Sequence, residues 1–152
     1  MRSSTSGTAK GGGDAVVIYL DTSGAMKLVR PEAHSSDLSR WFSTRLGTPV
    51  LSSVLIEVEL VRATRRSAPD RIAQATEVLL GIGVVTLSPS VIARAAGYPD
   101  PDLRSVDAIH LATAEHVVSV THQRLEAFVA YDDRLLAAAR DAGLPVASPG
   151  VT

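Results

Sequence analysis

Four acidic side chains set the chemistry this chain could perform. Asp21 closes the apolar run AVVIYL at residues 15–20, and Asp132 closes a second run, AFVAY, at 127–131. Asp107 sits at the start of an apolar stretch that follows the loop Tyr98-Pro99-Asp100-Pro101-Asp102. Glu59 falls about one turn into a helical stretch that starts near Ser53. Carboxylates gathered in one cleft repel each other. Two unit charges about 4 Å apart cost on the order of 4 kcal/mol at an effective dielectric of about 20. Such a cluster needs raised pKa values or a bound cation. Ligands that offer only oxygen favour hard ions, namely magnesium, manganese or calcium. Magnesium keeps several waters and recruits phosphate oxygens. The chemistry that follows is phosphodiester hydrolysis, with an activated water and a cation facing the charge that builds on phosphorus.

The elements around these acids predict how they meet. AVVIYL is short and rich in β-branched residues, as a buried parallel strand is. After Asp21-Thr22-Ser23-Gly24 a helix is expected to about Val29, closed by Pro31, and an amphipathic helix over 36–46, with Leu38, Trp41, Phe42 and Leu46 on one face. Residues 49–52 read as a strand. A helix over 53–66 follows, with Leu55, Val58 and Val61 near helical spacing, and then a turn at 67–70. Residues 70–80 read as a helix, 83–87 as a strand and 89–96 as a short helix. Ser105 is placed as the cap of a helix over 106–118. Residues 127–131 read as a strand and 132–141 as a helix stopped by Gly143. A last strand covers 144–147. Strands and helices alternate, which predicts a parallel sheet of four or five strands with helices on both faces. In such sheets the sites form beyond the carboxyl ends of the strands. All four acids can reach that edge.

The whole chain limits the alternatives. Its 152 residues suit one domain. Residues 1–14, MRSSTSGTAKGGGD, have no apolar signal-peptide core and read as a leader outside a domain of 15–150. There is no cysteine, which excludes disulfides, thiolate zinc sites and cysteine nucleophiles, and fits a reducing cytoplasm. No apolar run approaches the roughly 20 residues that span a bilayer. A net charge of −1 and 4% aromatic residues argue against a broad basic or stacking platform for nucleic acid.

Each candidate also has a plainer reading. Asp21 and Asp132 stand where helix caps stand, and Asp132 can cap with one oxygen and bind metal with the other. Asp107 suits the dipole of a helix start. Yet Val106, Ala108, Ile109, Leu111 and Ala112 imply deep packing, where an unpaired carboxylate is costly. Glu57 is the rival to Glu59. Ser23 is either a cap or a donor to a metal-bound water or phosphate. His110 is read as structural, along the helix flank. His34, His116 and His122 lack ligand spacing such as His-Glu-x-x-His. Arg62, Arg65 and Arg66 form either a solvated helix face or a strip for RNA or a partner.

The segments YLDTSGAMKLV, IEVELVRA, LRSVDAIHLATA and FVAYDDRLLAAARDAGLPVASPG occur in this order. Together they resemble the signature segments of PIN-domain ribonuclease toxins of the VapC type, over residues 15–150. The resemblance implies a three-layer α/β/α sandwich and a magnesium- or manganese-dependent endoribonuclease. It also implies a small VapB-type antitoxin that blocks the site, and a homodimer. Carried over by position, the acids are Asp21, Glu59, Asp107 and Asp132, with Asp133 in a variable slot. Glu59 matches the family's Glu-Leu pattern better than Glu57.

Other classes fit less well. A phosphatase of the haloacid-dehalogenase type needs a second Asp two residues after the first, where Ser23 stands. A receiver needs paired early acids and a late lysine, and Lys27 is the only lysine after the leader. An adhesion-type DxSxS site fails at Ala25. A non-catalytic PIN-like scaffold and another acid-cluster phosphohydrolase remain as alternatives.

Overall fold

The structure is a computed structural model and describes residues 15–152; the expected leader at 1–14 lies outside the described residues. Its strands are β1 (Val16–Leu20), β2 (Val50–Ser53), β3 (Gly83–Val85), β4 (Arg124–Val129) and β5 (Val146–Ala147). Its helices are α1 (Thr22–Val29), α2 (Ser35–Ser43), α3 (Ile56–Ser67), α4 (Ile72–Leu80), α5 (Pro89–Ala96), α6 (Ser105–Thr121) and α7 (Asp133–Asp141). A short 3-10 turn, Pro69–Arg71, leads into α4.

All strand pairs are parallel, in the order β3-β2-β1-β4-β5. The expected three-layer α/β/α sandwich is therefore observed, with five strands. Alternation along β1 divides its side chains between two cores, as the two-residue period of a strand requires. Ile18 and Leu20 pack with Met26, Leu38, Ile56, Leu60 and Ala75 on the α1–α4 side. Tyr19 packs with Leu111, Ala114, Leu135 and Leu136 on the α6–α7 side. Among the described residues no helix is long and apolar enough to cross a membrane.

Several boundaries differ from expectation, and each difference moves side chains. α2 stops at Ser43, so Leu46 falls beyond the helix and is 87% exposed. α3 starts at Ile56 because β2 runs on to Ser53. Its buried face is Ile56, Leu60 and Thr64, while Val58 points to solvent. α6 starts at Ser105, which is therefore not its cap; Arg104 holds that position without a side-chain cap bond. Val106 is exposed, so deep packing around Asp107 comes from Ala108, Leu111 and Ala112 alone. β4 spans 124–129 rather than 127–131, and the chain leaves the sheet at Ala130 before reaching Asp132. β5 is confined to two residues. Gly143 has a φ of +83°, a conformation glycine adopts freely, which suits its place just after α7.

Candidate active site

The strand order reverses between β1 and β4. In an open parallel sheet the crevice for a ligand opens at such a reversal, beyond the carboxyl ends of the strands. Asp21 follows β1 directly, and its N–H donates to Val129 O at the end of β4, at 3.1 Å. Asp132 lies just past β4 and starts α7. The two neighbouring chain ends thus place two acids at the crevice.

Asp21 is 4% exposed and caps α1. Its Oδ1 accepts from Gly24 N at 3.0 Å and from Ser23 Oγ at 2.7 Å. Oδ2 has no protein hydrogen-bond partner among the described residues. Burial pushes the Asp21 pKa up to about 6, and the nearby Asp107 adds to the rise; His110, Ser23 and Gly24 oppose it. Burial thus outweighs the groups that favour the charged form. Ser23 is more than a cap neighbour. Its Oγ also accepts from Tyr131 N at 3.0 Å, which ties the end of β1 to the chain leaving β4.

Asp132 divides its oxygens as expected for a cap with a second duty. Oδ1 accepts from Leu135 N at 3.0 Å, and Oδ2 accepts from Arg104 Nη2 at 3.4 Å. Arg104 also donates through Nε to Asp107 Oδ2 at 3.0 Å. One guanidinium therefore bridges two of the four acids, and both raise its pKa further, Asp107 most. The Arg104 side chain is 72% exposed, whereas that of Asp107 is 13% exposed.

Glu59 completes the set from α3. Its Oε1 accepts from Thr22 Oγ1 at 2.9 Å and pairs with His110 Nε2 at 2.7 Å. Glu57 is exposed on another face of the helix. A cleft of about 320 Å³ is lined by Glu59, Arg104, Ser105, Val106 and Asp107. Asp133, Asp100 and Asp102 are exposed, and Asp100 Oδ1 accepts from Asp102 N within the loop.

The donor set suits a hard divalent cation. It offers only oxygen, it includes a buried carboxylate whose charged form burial disfavours, and it already attracts a cationic side chain. As the side chains lie, no three acidic or histidine groups among the described residues stand close enough to ligate one ion.

The profile of the PIN domain family matches residues 18–141. The chain belongs to the PIN-domain family. It is 42% identical over 134 residues to "Ribonuclease VapC35" of Mycobacterium tuberculosis, covering 88% of this chain and 98% of that protein. It is 37% identical over 137 residues to "Ribonuclease VapC47" of the same organism, covering 88% and 98%. Its fold is similar to the crystal structure of the Mycobacterium tuberculosis toxin VapC20, described as cleaving the sarcin-ricin loop. That match has a TM-score of 0.61 at 17% identity and covers 80% of this chain and 94% of the other.

In this PIN fold, Arg104, Thr22 and His110 are site neighbours that sequence reasoning passed over or set aside. His110 is not on an idle helix flank; it is buried and bonded to Glu59. A signal for it existed. Residues three apart share a helix face, so Arg104, Asp107 and His110 form one stripe.

Proposed function

We propose that this chain is a divalent-metal-dependent endoribonuclease and the toxin of a toxin–antitoxin pair, in one nuclease domain over 15–150 with 1–14 as a leader. The observation that carries the reading is the PIN-family match over residues 18–141, supported by Asp21 and Asp132 at the β1/β4 reversal and by Arg104 linking Asp132 to Asp107. Relatives at 42% and 37% identity named as ribonucleases support the activity. Asp21, Asp107 and Asp132 are the residues that would hold Mg2+ or Mn2+. When bound, the ion supplies an activated water and offsets charge on the phosphate oxygens. Glu59 orients that water. Its Oε1 is occupied by Thr22 and His110, which leaves Oε2 to take the proton.

The net charge of −1 gives little non-specific grip on RNA. Recognition then depends on RNA shape and on exposed single-stranded bases. The same reading places the protein in the cytoplasm, paired with itself and held by a VapB-type antitoxin. An apolar groove of about 440 Å³, lined by Phe42, Leu46, Val78 and Ile82, suits an amphipathic antitoxin segment. It runs between α2 and α4, rather than between the 36–46 and 53–66 helices that the sequence suggested for that role.

The test is incubation with structured RNAs in Mg2+, Mn2+ or EDTA, with mapping of the cut ends. Internal cuts that need metal are expected. Release of terminal phosphate alone would indicate a phosphatase, and RNA binding without cleavage would indicate a scaffold.

A further inference from the structure

His110 joins the acidic cleft to the core through two hydrogen bonds whose directions follow from its tautomer. Its side chain is 2% exposed. Nδ1 lies 2.8 Å from the Tyr19 hydroxyl, and Nε2 lies 2.7 Å from Glu59 Oε1. The same hydroxyl accepts from the backbone N–H of Ser53 at 3.0 Å. A backbone N–H can only donate, so the phenol oxygen accepts there and is free to direct its own hydrogen at Nδ1. A neutral imidazole that accepts at Nδ1 carries its proton on Nε2. That proton faces Glu59.

The arrangement is braced on every side. The Tyr19 ring stacks on Phe128 with centroids 5.1 Å apart and planes 5° apart. It meets His110 edge-on at 5.8 Å. Ser53 ends β2, Tyr19 lies in β1, His110 on α6 and Glu59 on α3. Thr22, at the start of α1, donates to the same Glu59 oxygen. A free glutamate has side-chain rotamers to lose when it is ordered. Here the core has already restricted them.

We propose that His110 is a positioning residue: Tyr19 fixes the tautomer that donates through Nε2, and this donation pins Glu59 Oε1 so that Oε2 serves the attacking water. The inference rests on the ribonuclease reading for the duty of Glu59, but not for the tautomer. A histidine present only for packing would need neither bond in this direction.

The tautomer is tested first, in the unmodified protein and without any reaction. Nitrogen NMR of the His110 ring is expected to show a protonated Nε2 and a bare, hydrogen-bonded Nδ1. A proton on Nδ1 would overturn the proposal whatever the enzyme does. Cleavage rates then test the consequence. Partners that orient a site residue typically contribute about 10- to 100-fold. Tyr19→Phe and His110→Gln are each expected to lower kcat about 10-fold, and His110→Leu about 100-fold. The glutamine amide can still donate to Glu59, so it rescues part of the loss. In a Glu59→Gln background, His110→Gln is expected to cost less than about twofold, because residues acting through one another are not additive. Equal losses in both backgrounds would sink this inference and leave the ribonuclease reading intact. A parent protein that cuts no RNA would sink that reading, and with it the duty assigned to Glu59.

Discussion

On one side of the site, at the end of β1, Asp21 is 4% exposed and takes its bonds from Gly24 and Ser23. Beside it, Glu59 takes its bonds from Thr22 and the buried His110. On the other side, Asp107 and Asp132 share Arg104, whose side chain is 72% exposed. The inner pair is therefore set by the core. The outer pair is gathered by a solvated side chain. Exposed ion pairs contribute about 0–1 kcal/mol, so a divalent ion can displace this one at small cost. On the proposed reading, the difference is between acids set by the fold and acids joined through one exposed guanidinium.

The strongest way to break the comparison is Asp21→Asn. Asparagine caps a helix as well as aspartate does, so thermal stability should not fall. Cleavage should drop by at least about 10³-fold, since metal-based charge stabilisation contributes several kcal/mol. A variant that cuts within tenfold of the parent would remove Asp21 from the site.

The buried charge also predicts a pH dependence. The Asp21 pKa is raised from 3.8 to about 6 in the folded chain, so the folded state binds this proton more tightly than the unfolded state does. Metal-free stability on this account is highest below 3.8 and is lost as pH rises through about 6. Denaturant unfolding in EDTA should show the parent losing on the order of 2 kcal/mol more than Asp21→Asn between pH 4 and pH 7. Parallel pH profiles for the two proteins would show that the inner half carries no such strain.

Arg104→Gln sharpens the contrast from the outer side. With the guanidinium gone, Mn2+ should bind about 3- to 10-fold more tightly at low salt, and the gain should shrink as salt rises. Unchanged affinity would mean that Arg104 does not compete for the acids. The smallest effect belongs to Asp133→Asn, because Asp133 is exposed; its cleavage rate should stay within about twofold of the parent.

Much of the architecture was legible in local pattern. The β-branched run VVIYL followed by Asp21 shows both a strand and its functional end. The alternation of elements also foretold a parallel sheet. The order of the strands was not legible, because pairing is a tertiary choice, and the β1/β4 reversal brings Asp21 and Asp132 together only through that order. The partners of His110 were not legible for a physical reason. α6 buries Asp107, Ala108, His110, Leu111, Ala112, Thr113, Ala114 and Val117, so it is enclosed nearly all round. Periodicity on such a helix gives little sign of which neighbour each side chain meets. Arg104 was overlooked because its importance lies in spanning from α6 to Asp132, a contact between residues 28 positions apart.

The central claim is that these carboxylates hold a divalent cation. It is tested most directly by calorimetric titration of Mn2+ into metal-free protein at neutral pH, for the parent and Asp107→Asn. The account predicts saturable binding to the parent and at least about a tenfold weaker response in Asp107→Asn, with the fold intact in both. No binding to the parent, or equal binding to both proteins, would contradict it.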